Sequence, residues 1–239
     1  MWLFLLACQM FYYGDEEVSE LQVTQVADSW NIGIQRAVST TVKILVQLDG
    51  RTLGHGSGNL FYYHNELFVI TASHVVNTQG LDYFIQEQNG NVLACRVIYN
   101  GIGNDIAIVK PYGKFTVTKA SPYYTSMQKD LSAKEMYYSG NPGELEHVTL
   151  RGWVAESDHY SLVLQSFAWP GSSGSVVFDI AGRAIGVVSA IPITHNFYDG
   201  GMIPLSQIVL VRRLEVLPRR TIREALRNEK RRVESRNAD

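Results

Sequence analysis

From Thr40 onward the chain is divided into short runs of β-branched, aromatic and aliphatic residues separated by Gly, Asn and Asp. This cadence constrains the fold more than any other feature. The runs Thr41–Leu48, Asn59–Tyr63, Leu67–Thr71, Val92–Tyr99 and Ile106–Lys110 form one block. Pro111–Gln128, rich in Pro, Tyr, Ser and Lys, reads as a connector. A second block follows with Glu135–Ser139, Val148–Glu156, Ser161–Phe167, Ser175–Ile180 and Ala184–Ile191. Runs this short and closely spaced leave no room for the helices of βαβ units, so an all-β barrel or sandwich is expected.

The two ends read differently. Val23, Val26, Trp30, Ile34 and Val38 recur at three- and four-residue spacing, which suggests one amphipathic helix over Leu21–Ala37, with Asp15, Glu16 and Glu17 just upstream. After the second block the chain reads as helical from about Ser206, with Pro218 as a break and Ile222, Leu226 and Val233 as a narrow apolar stripe. The expected organisation is an N-terminal segment and helix (1–38), a first β unit (39–112), a connector (113–128), a second β unit (129–211) and a basic tail (212–239). The whole chain has a formal charge of −2, yet the tail holds ten of its 21 basic residues against five acidic ones. The tail is therefore +5 and the rest −7, which fits a solvated helix docking on an acidic body, or an arm for nucleic acid or an acidic surface.

Cys8 and Cys95 are too few for a disulfide framework, and Cys95 reads as a buried free thiol. Trp2–Tyr13 is apolar but too short to span a bilayer as a helix. No Lys or Arg precedes Arg36, so a charged signal n-region is missing. A signal or anchor remnant, implying export or membrane association, and a packing arm on an intracellular soluble protein are the competing readings.

Candidate chemistry sits in Trp169-Pro170-Gly171-Ser172-Ser173-Gly174-Ser175-Val176-Val177-Phe178. Serine between glycines, directly before an apolar run, is how a hydroxyl is presented on a tight turn. Acyl transfer through that hydroxyl needs a base, a carboxylate to orient the base, and donors for the oxyanion. His74 lies at the end of the apolar run Phe68–Val76, and Asp105 opens the run Asn104–Val109. Each alone has a mundane reading as a strand-end or turn residue. Together, in the order His, Asp, Ser across two β blocks, they are hard to assign to turns.

Thr71-Ala72-Ser73-His74-Val75, Asp105-Ile106-Ala107 and Gly171-Ser172-Ser173-Gly174-Ser175 resemble the three motifs of trypsin-like serine proteases, most closely the bacterial HtrA/Deg-type group. The similarity spans roughly residues 20–211. It includes the Ser39–Ile44 strand, Gly56-Ser57-Gly58, Gly182-Arg183-Ala184-Ile185-Gly186-Val187 and Gly201-Met202-Ile203-Pro204. It implies an all-β fold of two six-stranded antiparallel β-barrels, with an N-terminal helix and a basic helical tail, and an active site between the barrels. His74 would be general base and then acid, Asp105 its orienting carboxylate and Ser173 the nucleophile. The N–H groups of Gly171 and Ser173 would form the oxyanion hole. Ser189 would begin the edge that binds a polypeptide substrate as an extended strand. Phe167 would floor the primary pocket, with Ala168, Ala190 and Ile191 around it, favouring small or aliphatic P1 residues. No metal or organic cofactor is implied, and a homo-oligomer is among the expectations.

The sequence departs from the resemblance in places. About 28 residues follow the second block, so a PDZ domain is not expected. Ser172 stands where zymogen-activated relatives carry Asp, so activation by a new N-terminal amine is not expected. Two alternatives stand beside the endopeptidase: a viral polyprotein-processing serine protease and a non-catalytic peptide-binding module on the same fold. For the viral type, Ala168 and Val187-Val188 replace the Thr and His that accompany Gln/Glu specificity.

Overall fold

The structure, a computed structural model, describes residues 31–126, 128, 130–195 and 202–236. It opens on α1 (Ile32–Thr40), whose first turn is capped by the Asn31 side chain accepting from the Ile34 N–H at 3.0 Å. Strands β1 (Thr41–Leu48), β2 (Arg51–Tyr63), β3 (Glu66–Thr71), β4 (Asp82–Gln86), β5 (Val92–Gly101) and β6 (Ile106–Tyr112) follow. They close in the order β1-β4-β5-β6-β3-β2, with β1 pairing back onto β2. Asp49-Gly50 and His64-Asn65, all at positive φ, make the two tight hairpins on either side of β2. β7 (Ser121–Pro122), from the connector, adds to β2 in parallel.

The second barrel comprises β8 (Glu135–Gly140), β9 (Val148–Ser157), β10 (Ser161–Gln165), β11 (Val176–Asp179) and β12 (Ala184–Ala190). A small side ribbon follows, made of β13 (Ile193–His195) and β14 (Met202–Pro204). β15 (Ile208–Arg213) then closes the barrel in the order β10-β15-β12-β11-β8-β9, and α2 (Arg219–Arg236) ends the described chain. The expected two antiparallel six-stranded barrels with flanking helices are therefore present.

Two expectations need correction. The helix does not run continuously through Leu21–Ala37, because Asn31 leaves helical geometry (φ −88, ψ 85) to cap at Ile32; residues 21–30 lie outside the described chain. The helix expected from about Ser206 is instead strand β15. Alternate residues Val209, Val211 and Arg213 turn inward and are buried, and pairing with β10 and β12 overrides local propensity. Helix begins only past Pro218, whose carbonyl accepts from the Thr221 and Ile222 N–H groups.

Each barrel has its own core, around Ile44, Leu60, Val69 and Ile85 in the first and Tyr138, Leu162, Leu164 and Val211 in the second. A third cluster spans both and includes Phe61, Phe68, Ile70, Val176, Phe178 and, from α2, Ile222 and Leu226. Phe61 and Phe178, from opposite barrels, bring their ring centroids to 6.0 Å. Burying Ile222 and Leu226 docks the basic tail on the body. Among the described residues no helix is long and apolar enough to cross a membrane, and segment 2–13 lies outside them.

Glu87, 2% exposed, fastens the connector to the first barrel. Burial by itself would raise its pKa. The N–H groups of Thr118, Val117 and Thr116 and the Asn91 amide outweigh that and hold the carboxyl at about 2. A depressed folded-state pKa gives stability that is complete above the ordinary carboxylate range and lost as pH falls toward 2. Glu87→Gln is expected to cost about 2–3 kcal/mol near neutrality. In urea unfolding, the gap between variant and parent should shrink steadily from pH 5 to pH 2.

Candidate active site

In the first barrel, β3 ends at Thr71 and Ala72 leads into a single 3₁₀ turn, Ser73–Val75, that sets the His74 side chain half-exposed at the barrel rim. Its partner follows another 3₁₀ turn, Ile102–Asn104, whose last carbonyl region is capped by Asp105 at φ 52. Asp tolerates this left-handed conformation better than most side chains. His74 Nδ1 lies 3.0 Å from both Asp105 carboxylate oxygens, and the His74 backbone N–H donates to Oδ1 at 3.0 Å. Ser189 Oγ donates to Oδ2 across the barrel boundary. Ser189 is the extra residue of a β12 bulge against β15, and that irregularity aims its hydroxyl at the carboxylate. Burial would raise the Asp105 pKa, but the hydrogen bonds from His74 and Ser189 hold it below the ordinary value. Asp105 thus stays ionised near neutrality. With Nδ1–H directed at the carboxylate, the His74 Nε2 lone pair is left for the cleft.

In the second barrel, the segment before β11 folds as two tight turns closed by Ser172 N–H to Trp169 O (2.9 Å) and Ser175 N–H to Ser172 O (3.1 Å). Gly171 (φ 101) and Gly174 (φ 94) occupy the left-handed region that favours glycine. A Cβ on Gly171 would also collide with Asn141 O and come within 2.7 Å of His55 Nε2. The three serines separate by burial. Ser172 and Ser175 are buried, with Ser172 Oγ accepting from the Trp169 N–H at 3.2 Å, whereas Ser173 lines a cleft together with His74, Gly171 and His55. The backbone N–H groups of Gly171 and Ser173 donate to no protein acceptor among the described residues, while their neighbours Ser172, Gly174 and Ser175 all do. Two unspent donors beside one accessible hydroxyl can bind a developing oxyanion.

A polar latch between the barrels holds this turn. Ser57 Oγ, on β2, donates to Gly171 O at 2.7 Å and accepts from the Asn141 N–H at 2.9 Å. The Ser57 N–H donates to Ser173 O at 2.8 Å. His55 Nε2 contacts Asn141 O at 2.9 Å, and Gly143 N–H donates to Pro170 O at 2.7 Å. Sequence reasoning noticed Ser57 only as part of a strand opening and missed His55 and Asn141. The sole sequence signal for Asn141 was the turn-forming Asn-Pro-Gly at 141–143. Ser57→Ala is expected to lower kcat about tenfold with KM nearly unchanged, because it frees the Gly171 carbonyl and so loosens the Gly171–Ser172 peptide, which lies between the Gly171 and Ser173 N–H donors. Steady-state kinetics on one peptide substrate separates the two parameters.

The trypsin-like peptidase domain family matches residues 56–187 of the sequence, more than half of the chain. The chain belongs to the trypsin-like peptidase family. Membership places it among the serine endopeptidases. Its fold is similar to that of the serine endoprotease from Yersinia pestis, with a TM-score of 0.64 and 17% sequence identity over 86% of this chain and 69% of that one. No curated protein matches its sequence.

Beside Ser173 the peptidase has a pocket of about 290 Å³, lined by Trp169, Pro170, Val188, Ala190, Ile191 and Ile193 together with Ser172 and Ser173. No charged side chain lines it. Of the sequence-expected pocket residues, Ala190 and Ile191 are in its wall. Ala168 is wholly buried, with its N–H donating to Ser206 O at 2.7 Å. Phe167 lies away from this pocket, half-exposed in a depression with Pro142–Leu145 and Trp169. Its carbonyl accepts from the Tyr138 hydroxyl, so the backbone is held while the ring turns to that other side.

Proposed function

We propose that this peptidase cleaves polypeptides through His74, Asp105 and Ser173 by way of an acyl-enzyme. Ser173 Oγ attacks the scissile carbonyl carbon as His74 Nε2 takes its proton. Asp105, held by Ser189 and the His74 N–H, fixes the tautomer and stabilises the imidazolium. The carbonyl oxygen, now negative, is held by the N–H groups of Gly171 and Ser173. Collapse breaks the C–N bond, and Nε2–H protonates the departing amine. Water then enters, gives a proton to Nε2, and its oxygen adds to the acyl carbon. Collapse breaks the C–Oγ bond, Nε2–H returns its proton to Ser173 Oγ, and the carboxylic acid leaves. The observation that carries this reading is the coincidence at one cleft of the Asp105-held imidazole, the single accessible serine of the turn and the two free N–H donors.

The substrate lies extended, its main chain pairing along the Ser189–Ile191 edge, with its P1 side chain in the Ala190/Ile191 pocket. The apolar, uncharged wall supports small or aliphatic P1 residues. Digestion of a proteome-derived peptide library, read by mass spectrometry, is expected to show cuts after Ala, Val, Ile or Leu that vanish with Ser173→Ala. A preference for Arg or Lys at P1 would overturn the pocket assignment.

A further inference from the structure

The inward face of α2 is committed to the fold. Ile222 and Leu226 are in the core, and Glu229 is closed off with Arg232 (2.5 Å), Arg96 (3.7 Å) and the Tyr112 hydroxyl. The outward face is cationic. Arg220 is paired with Glu224 at 2.7 Å, but Arg219, Arg223, Arg227, Lys230, Arg231 and Arg236 form no ion pair among the described residues. Three of these, Arg223, Arg227 and Lys230, make one wall of a groove of about 310 Å³. The opposite wall is the β2–β3 hairpin, with Tyr63, His64 and Glu66. Glu66, the one carboxylate lining the groove, is already neutralised by Lys110 at 2.7 Å. The positive-φ hairpin holds the His64 ring out into solvent, 4.3 Å from the Tyr63 ring, and Tyr63 OH is tied to Arg223 at 3.1 Å.

The chemistry of this groove is specific. Cations at i, i+4 and i+7 stand about 6 Å and about 4.5 Å apart along a helix axis, a spacing suited to successive phosphates of one strand. An exposed aromatic ring beside a cationic track is the arrangement that stacks unpaired bases. An acidic membrane would need large apolar side chains on the same helix face to insert. None of the large exposed apolar residues of the described chain lies on α2. We propose that the groove between α2 and the β2–β3 hairpin binds single-stranded nucleic acid, with Arg223, Arg227 and Lys230 on phosphates and His64 stacking on a base. The site shares no lining residue with the peptidase cleft, so it stands or falls independently of the reaction mechanism.

The test is fluorescence anisotropy of a labelled oligouridylate with the full chain over a salt series. Arg223→Gln/Arg227→Gln/Lys230→Gln is expected to weaken binding more than tenfold at low salt. It should also flatten the log–log salt slope by about 2, the loss of three phosphate contacts. The double variant Arg227→Gln/Lys230→Gln removes no hydrogen bond within the protein and guards against a folding defect; it should show about two-thirds of that slope change. His64→Ala should weaken binding severalfold with the slope unchanged. Binding by the triple variant equal to the parent's would overturn the proposal. So would parent protein that binds anionic phospholipid vesicles but no oligouridylate.

Discussion

Replacing Ser173 by Ala, or His74 by Ala, is expected to lower kcat about 10⁶-fold, and replacing both should cost scarcely more than either alone. The near-identity of the three values is the sharp part of the expectation. A hydroxyl without a base is a weak nucleophile, and a base without its hydroxyl has nothing to deprotonate. Residual turnover would come from the pocket and from the Gly171 and Ser173 N–H donors, which all three variants keep. Folding should be spared, because His74 is half-exposed and Asp105 retains the Ser189 hydroxyl as a partner. Burst and steady-state assays on one ester and one peptide, with circular dichroism as the folding check, read this out. Independent, multiplicative losses would mean that the two side chains do not act as a unit.

Asp105→Asn should cost about 10⁴-fold in kcat while leaving KM within a few-fold. The reason lies in the donors around this carboxylate. His74 Nδ1 reaches both oxygens at 3.0 Å, the His74 N–H reaches Oδ1, and Ser189 Oγ reaches Oδ2. A carboxylate accepts all of them. An amide in the same place turns one acceptor into a donor, and the adaptable partner is the imidazole. Its Nδ1 then accepts, the proton moves to Nε2, and Nε2 can no longer deprotonate Ser173. Activity should therefore recover at high pH, where hydroxide substitutes for the lost base, and a pH–rate profile distinguishes this from simple misfolding.

How much of this was legible in the sequence follows the range of the interactions involved. The strand Thr41–Leu48 and the turn glycines at 171 and 174 are local matters, and local pattern located them. The candidate His, Asp and Ser could be picked out because each sits at the end or start of an apolar run. Helix was expected where β15 stands, because Ile208–Arg213 borders a genuinely helical, Arg-rich segment. Only its pairing with β10 and β12, fixed far away in sequence, makes it a strand. The strand run was expected over Asn59–Tyr63, whereas β2 already begins at Arg51, because β1 holds the Gly-rich residues 51–58 extended.

The latch was illegible for the same reason. Ser57 and Gly171 are 114 residues apart, and nothing at either position announces the other. Ser189, expected only at the substrate edge, also donates to Asp105, 84 residues away, through a bulge that sequence does not reveal. The resemblance to trypsin-like proteases placed Phe167 at the floor of the primary pocket. Its ring instead faces the 142–145 turn, which belongs to a different part of the chain.

The most direct measurement is covalent labelling with a fluorophosphonate, followed by peptide mapping of the adduct. The probe needs an activated hydroxyl and an oxyanion site together, the two properties assigned to the turn before β11. The prediction is a single stoichiometric adduct on Ser173, absent in Ser173→Ala and strongly slowed in His74→Ala. An adduct on Ser172 or Ser175, or folded protein that takes up no label, would contradict the account.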